Sequence, residues 1–216
     1  MRILTLSDKV EPLLYGPTVH RAVGQVDMVL SCGDLPDYYL DYVVSMLNVP
    51  CYYVQGNHVQ GEEFRCRGAE RDTEDRRCTS PGCNVHGRVV YEKGLLIAGL
   101  EGSMRYNRNP RFQYTDREMY HQVRRMAPRL LRNRMRHGRF LDILITHAPP
   151  RGIHDGPDLC HQGFGAYLSF MRWFRPRYLV HGHKHVHSLG EAMHTVYHHT
   201  QVINSYGYRI LEIDQG

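Results

Sequence analysis

Apolar residues fall in short runs along this chain, and each of several runs stops at a residue able to do chemistry. ILTLS leads into Asp8, DMVLSC into Gly33 and Asp34, CYYV into Gly56, Asn57 and His58, DILI into His147, and RYLV into His181, Gly182 and His183. Aliphatic and β-branched runs of this length, uninterrupted by polar positions, predict strands buried on both faces in a layered α/β fold. Ligands in such folds collect at the carboxyl ends of strands, so the residues that close these runs are candidates for function.

Between the runs the period changes. Apolar positions at Tyr39, Tyr42, Val43, Met46 and Leu47 predict a helix over Pro36 to Leu47, and Tyr167, Leu168 and Met171 predict another over Gly163 to Phe174. The longest helical pattern runs from Thr115 to His137, where Met119, Tyr120, Val123, Met126, Ala127, Leu130, Leu131 and Met135 form one face and Pro128 is expected to kink or split the helix. Its other face carries Arg124, Arg125, Arg129, Arg132 and Arg136, with Arg139 just beyond. Gln201 to Asn204 and Tyr208 to Ile213 alternate as closing strands do. The segment from about 60 to 87 is polar and lacks either period, which predicts a long surface insertion in one domain spanning 1–216. There is no internal repeat.

Composition narrows the class. Hydrophobic residues make up 42% of the 216-residue chain and charged residues 23%, an ordinary globular balance. No apolar stretch approaches the roughly 18 residues a membrane span needs, and the N-terminal run is a strand rather than a signal peptide; the expectation is a cytoplasmic chain without a membrane partner. The six cysteines lie in unlike contexts and read as reduced thiols. Cys66, Cys78, Cys83 and His86 form C-x11-C-x4-C-x2-H, a weak zinc pattern without paired C-x2-C knuckles. A net charge of +5 suits anionic ligands but is small for a dedicated nucleic-acid binder. The sequence does not address oligomeric state.

The strand-end set Asp8, Asp34, Asn57, His147, His183 and His185 mixes carboxylate, amide and imidazole, a donor set that suits manganese, iron or zinc. Two such ions about 3.5 to 4 Å apart can clamp an in-line displacement at phosphorus. LSD at Asp8, CGD at Asp34, GNH at Asn57 and His58, THAPP at His147 and HGHKH at His183 and His185 together resemble the calcineurin-like metallophosphoesterases over nearly the whole chain. The resemblance implies a sandwich of two mixed β-sheets flanked by helices, with one or two divalent metal ions at the strand ends. By it, Asp8, Asp34 and His185 hold the first metal, and Asp34, Asn57, His147 and His183 the second, Asp34 bridging. His58 stabilises the phosphoryl group or protonates the leaving oxygen, and the nucleophile is metal-bound hydroxide. The implied reaction is hydrolysis of a phosphomonoester or phosphodiester, a small phosphodiester or nucleotide being favoured.

Two positions depart from the family. Its first motif usually reads Asp-x-His, whereas this chain reads Asp8-Lys9-Val10, and valine is no ligand. Asp37, Tyr38 or His20 are the substitutes to examine, the related purple acid phosphatases using a tyrosine three residues after the bridging aspartate. Val59 stands where an acidic residue often follows Gly-Asn-His. The missing imidazole keeps open a metal-poor scaffold on the same fold, as in the retromer coat, and the arginine face keeps open a nuclease. His181 is expected to support the ligands from behind or to be structural, His154 and His161 to be surface or hydrogen-bonded residues, and Arg105, after the apolar strand LLIAGL, is a candidate to grip phosphate.

Overall fold

A computed structural model describes residues 1–58, 82–108, 111–185 and 193–214. Along the chain lie β1 (Arg2–Ser7), α1 (Val19–Val23), β2 (Met28–Ser31), α2 (Asp37–Leu47), β3 (Cys51–Tyr53), β4 (Gly82–Asn84), β5 (Val89–Glu92) and β6 (Leu95–Leu100). There follow β7 (Ser103–Met104), β8 (Gln113–Tyr114), α3 (Asp116–His137), β9 (Ile143–Thr146), α4 (Gly165–Phe174), β10 (Tyr178–His181), β11 (His194–Tyr197), β12 (Thr200–Asn204) and β13 (Gly207–Glu212). They build a five-stranded sheet, β13-β1-β2-β3-β4, and a six-stranded sheet, β11-β12-β10-β9-β6-β5. Inner strands pair in parallel, while β13, β11 and β5 add antiparallel edges, so both sheets are mixed, as expected. No helix among the described residues is long and apolar enough to cross a membrane.

Period-two alternation sorts the buried side chains into layers. Ile143 and Ile145 of β9 face the other sheet, joining Ile3, Met28, Leu30, Tyr52, Val54, Ile97 and Val180 in the central core. Leu144, with Leu96, Ala98 and Leu179, turns outward to Met119, Val123, Met126 and Leu130 of α3 and Phe170 and Met171 of α4. On the opposite outer face, Leu4, Leu6 and Val29 pack against Tyr39, Leu40, Val43 and Val44 of α2. Four layers result, helices outside and sheets within. Gly99 has no side chain because a Cβ there would meet Val54 Cγ1 at 2.5 Å and Val85 Cγ2 at 2.8 Å.

Three expectations change. Helix α3 is a single 22-residue helix running through Pro128, so the proline does not split it, and buried Met126 and Leu130 on either side hold both halves to the same core. Thr115 starts it with a reciprocal capping box to Glu118. The segment expected to be an insertion ends in β4, which pairs in parallel with β3, Cys51 opposite Gly82; the rest of it, to residue 81, lies outside the described residues. Cys83, within β4, is disulfide-bonded rather than a reduced thiol.

Two buried carboxyls tie the six-stranded sheet together. Asp142, 1% exposed, accepts from the Leu96 N–H at 2.8 Å and from Arg139 Nε at 2.8 and 3.0 Å, joining the starts of β6 and β9. Glu101, at the far end of β6, accepts from the Tyr114 hydroxyl at 2.9 Å, and its own N–H donates to His86 Nδ1 at 3.1 Å. Burial pushes its carboxyl up to about 7 against the opposing hydrogen bonds from Tyr114 and Asn84, and burial pushes His86 down to about 4. Between these values the two groups meet uncharged.

Removing the Asp142 carboxylate strands a backbone N–H and a guanidinium, so Asp142→Ala is expected to lower the unfolding free energy by about 3 kcal/mol in denaturant titration. A loss under about 1 kcal/mol would contradict this role. Glu101 keeps in the folded chain a proton that the unfolded chain releases near pH 4.5. Its contribution is therefore full below about 4.5 and lost as pH rises through about 7. Glu101→Gln should match the parent at pH 4 and melt higher at pH 8; identical melting at both values would refute the shift.

Candidate metal centre

The carboxyl ends of β1, β2 and β3 in one sheet meet those of β9 and β10 in the other, and the candidate residues follow directly: Asp8 after β1, Asp34 after β2, Asn57 after β3, His147 after β9 and His183 after β10. Asp8, Asp34 and His183 have left-handed backbone, with φ of 62°, 56° and 64°. Side chains rarely adopt this conformation, and functional sites are where it concentrates. It turns each chain sharply off its strand. The neighbouring glycines make the room: a Cβ on Gly56 would fall on the Asp34 carboxylate, one on Gly182 on Ser7 Oγ and the Asp8 carboxylate, and one on Gly33 would lie 2.5 Å from Gly56 N. The glycines of GNH and HGH are thus steric requirements of the carboxylates, and the glycine of CGD a requirement of the Gly56 backbone.

One group is tightly gathered. Donor atoms of Asp34, His147 and His183 lie within 4.8 Å of one another, and the rings of His147 and His183 are 4.8 Å apart. His147 is fully buried, and its Nδ1 lies 2.7 Å from the Cys32 carbonyl oxygen, to which it must donate. In the neutral ring the Nε2 lone pair then faces Asn57 Oδ1 at 2.9 Å and Asp34 Oδ2 at 3.2 Å. Three acceptors pointing at one another are reconciled only by a proton or a cation between them. Without a cation a proton takes that place: burial opposes charge on His147, but the Asp34 carboxylate, then Asp8 and the Cys32 carbonyl, lift the ring to about 9. Burial likewise raises Asp34, yet His147, the His58 N–H and the His58 charge outweigh it and hold the carboxyl low. His183 donates from Nε2 to the Cys160 carbonyl at 2.7 Å, which leaves Nδ1 as its free donor. Burial and the charge of His147 drive it down to about 3.

The other group is looser. Asp8 Oδ2 accepts from Ser7 Oγ and from the His183 N–H at 2.9 Å, whereas Oδ1 is buried without a hydrogen-bond partner among the described residues. His185 Nε2 stands 3.8 Å from that oxygen, its ring 4.8 Å from Tyr206. Leaving a buried acceptor unsatisfied costs about 1–3 kcal/mol, more when it is charged. Burial raises the Asp8 carboxyl above the ordinary carboxylate range despite His147, Ser7 and the His183 N–H. Val10 packs against the core between the five-stranded sheet and α2. Of the three substitutes, His20 lies beside Arg2 and Gly24 at the opposite end of β1, and Tyr38 packs edge-on against Tyr15.

Around these groups, His58 is exposed and donates its backbone N–H to Asp34 Oδ1 at 2.9 Å. His181 is fully buried, donates from Nδ1 to the Gly182 carbonyl at 3.0 Å and meets His154 Nδ1 at 2.9 Å. Arg105 Nη2 lies 3.0 Å from both carboxylate oxygens of Glu118, anchoring the start of α3. The arginines from Arg124 to Arg136 on α3 are exposed. With Cys83 covalently committed and His86 Nδ1 accepting from Glu101, the weak zinc pattern is not supported by its described members; Cys66, Cys78 and Val59 lie outside the described residues. Sequence reasoning missed Tyr106, whose hydroxyl accepts from Asn57 Nδ2 at 3.1 Å and so turns Oδ1 toward His147. A loop tyrosine in RYN carries no local signal of that role.

The orphaned Asp8 oxygen and the crowded acceptors at His147 fit a cation-binding centre. A family model described as calcineurin-like phosphoesterase matches residues 5–187. No curated protein matches the chain. Among solved structures, the chain is similar to one crystal structure at a TM-score of 0.66 and 16% identity, covering 97% of this chain and 94% of that one. TT1561 of Thermus thermophilus follows at 0.59 and 16%, covering 95% and 89%. Vps29 complexed with Zn+2 from Entamoeba histolytica aligns at 0.45 and 12%, covering 99% and 87%. With its two mixed sheets, flanking helices and a match over most of its length, the chain belongs to the calcineurin-like phosphoesterase family.

Proposed function

We propose that this chain hydrolyses a phosphomonoester or phosphodiester with the help of divalent cations held at the strand ends. Asp34, Asn57, His147 and His183 would hold one cation, Asp8, Asp34 and His185 another, with Asp34 shared. The observation that carries the reading is the confrontation at His147, where an imidazole lone pair and two oxygens converge in a buried site. When bound, manganese, iron or zinc supplies charge for the phosphoryl oxygens and activates water near neutral pH.

The chain's own residues do the rest. The Cys32 carbonyl fixes the His147 tautomer, the Cys160 carbonyl that of His183, and Tyr106 the orientation of the Asn57 amide. Such outer contacts orient donors and raise their basicity. Ser7 and the His183 N–H leave only one Asp8 oxygen free to ligate. His58, exposed beside Asp34, is placed to stabilise the phosphoryl group or give a proton to the leaving oxygen. Small phosphodiesters or nucleotides are the favoured substrates of this reading.

Turnover of a chromogenic aryl phosphate ester with added manganese, iron or zinc tests the reading. Asp34→Ala and His147→Ala are expected to reduce kcat by on the order of 100-fold or more. No turnover with any of the metals would replace hydrolysis with the scaffold reading. His58→Ala should lower kcat by about 10²–10⁴-fold while bound metal per chain is unchanged. A parallel loss of metal would instead make His58 a structural support of Asp34.

A further inference from the structure

A second group of metal donors lies outside the phosphoesterase ligands, on the loop between β9 and α4. A carboxylate oxygen of Asp158, the Sγ of Cys160 and a ring nitrogen of His161 all lie within 4.8 Å of one another. The loop that carries them is internally fixed. Asp155 Oδ2 accepts from the Gly152 and Gly163 N–H groups at 2.9 and 3.2 Å, and the Gly156 N–H donates to the His161 carbonyl at 2.9 Å. A Cβ on Gly156 would stand 2.8 Å from His161 Cβ, so the turn closes directly on the imidazole. The donors are therefore gathered in advance, on a four-residue stretch.

Their chemistry is selective. Thiolate, imidazole and carboxylate together match zinc-like ions, and three protein donors with partly exposed Asp158 and His161 leave a coordination position open to solvent. Cys160 is a free cysteine, in contrast to Cys83, and is half-buried, in contrast to the fully enclosed Cys32 and Cys51. His161 Nδ1 and the Asp158 oxygens, 2.8 and 3.0 Å apart, share a proton that a cation can replace.

We propose that Asp158, Cys160 and His161 form an additional site for a thiophilic divalent cation, separate from the Asp34 group. The two share a wall. The Cys160 carbonyl holds His183 Nε2, and Tyr106, whose hydroxyl holds Asn57, is close enough to the Cys160 thiol to lower its pKa against the rise that burial imposes. The His161 and His183 rings lie 5.2 Å apart. Binding releases the thiol proton, so affinity rises with pH.

Titration of the full chain with cobalt(II), read by the sulfur-to-cobalt charge-transfer band in the near ultraviolet, tests the site without reference to hydrolysis. The parent should show the band, and Cys160→Ser, which keeps every other thiol, should abolish it. His161→Gln should weaken the cobalt affinity by about tenfold or more. Asp34→Ala should keep the band, so failure of the phosphoesterase reading and failure of this one are separately visible. An undiminished band in Cys160→Ser, or no band in the parent, would overturn the proposal.

Discussion

Two carboxylates are withdrawn from water at the ends of neighbouring parallel strands, and much of the architecture follows from accommodating them. Asp8 and Asp34 end β1 and β2, and the opposite sheet presents His147 and His183 to them. Burial penalises each charge, and ordinary hydrogen bonding satisfies only part of the demand, since one Asp8 oxygen has no hydrogen bond among the described residues. A positive charge between the sheets, a proton on His147 or a cation in its place, is the remaining compensation. The left-handed turns, the stripped glycines and the carbonyls that lock each imidazole all serve to aim donors at that point.

The two halves of the centre are unequal. Around Asp34 each donor is fixed by a second contact: His147 by Cys32, Asn57 by Tyr106, His183 by Cys160. Around Asp8 the side chain two residues on is Val10, spent on packing against α2, and His185 is half-exposed at 3.8 Å. Rigid outer contacts reduce the entropy lost when donors close on an ion, so the Asp34 group is the better prepared of the two. The same β9–α4 loop that supplies the Cys160 carbonyl also carries Asp158 and His161. One segment therefore both supports the centre and presents donors of its own.

Much of this was legible in the sequence because its signals are local. Apolar runs marked β1, β2, β3, β6, β9 and β10, and the three helical periods fell on α2, α3 and α4 to within two residues, since period and capping depend on near neighbours. The ordered motifs named the family for the same reason: each strand fixes where its closing residue stands. Short edge strands such as β4, β5 and β11 were not legible. They are held by pairing with a partner distant in sequence, and their own residues show no strong alternation.

Only the tertiary structure decided how the nominated residues relate. Which imidazole nitrogen is protonated, which carboxylate oxygen lacks a hydrogen bond among the described residues and which loop tyrosine orients Asn57 depend on contacts between segments 23 to 175 residues apart. Arg105 shows the limit from the other side: its position after a strand suggested phosphate, but Glu118, brought near by the capped start of α3, takes its guanidinium. The sequence by itself determined the layers, the family and the residue types at the strand ends, because burial and period are written in neighbouring positions. The directions of the donors were decided by packing two sheets face to face, because a hydrogen bond is satisfied in space and not along the chain.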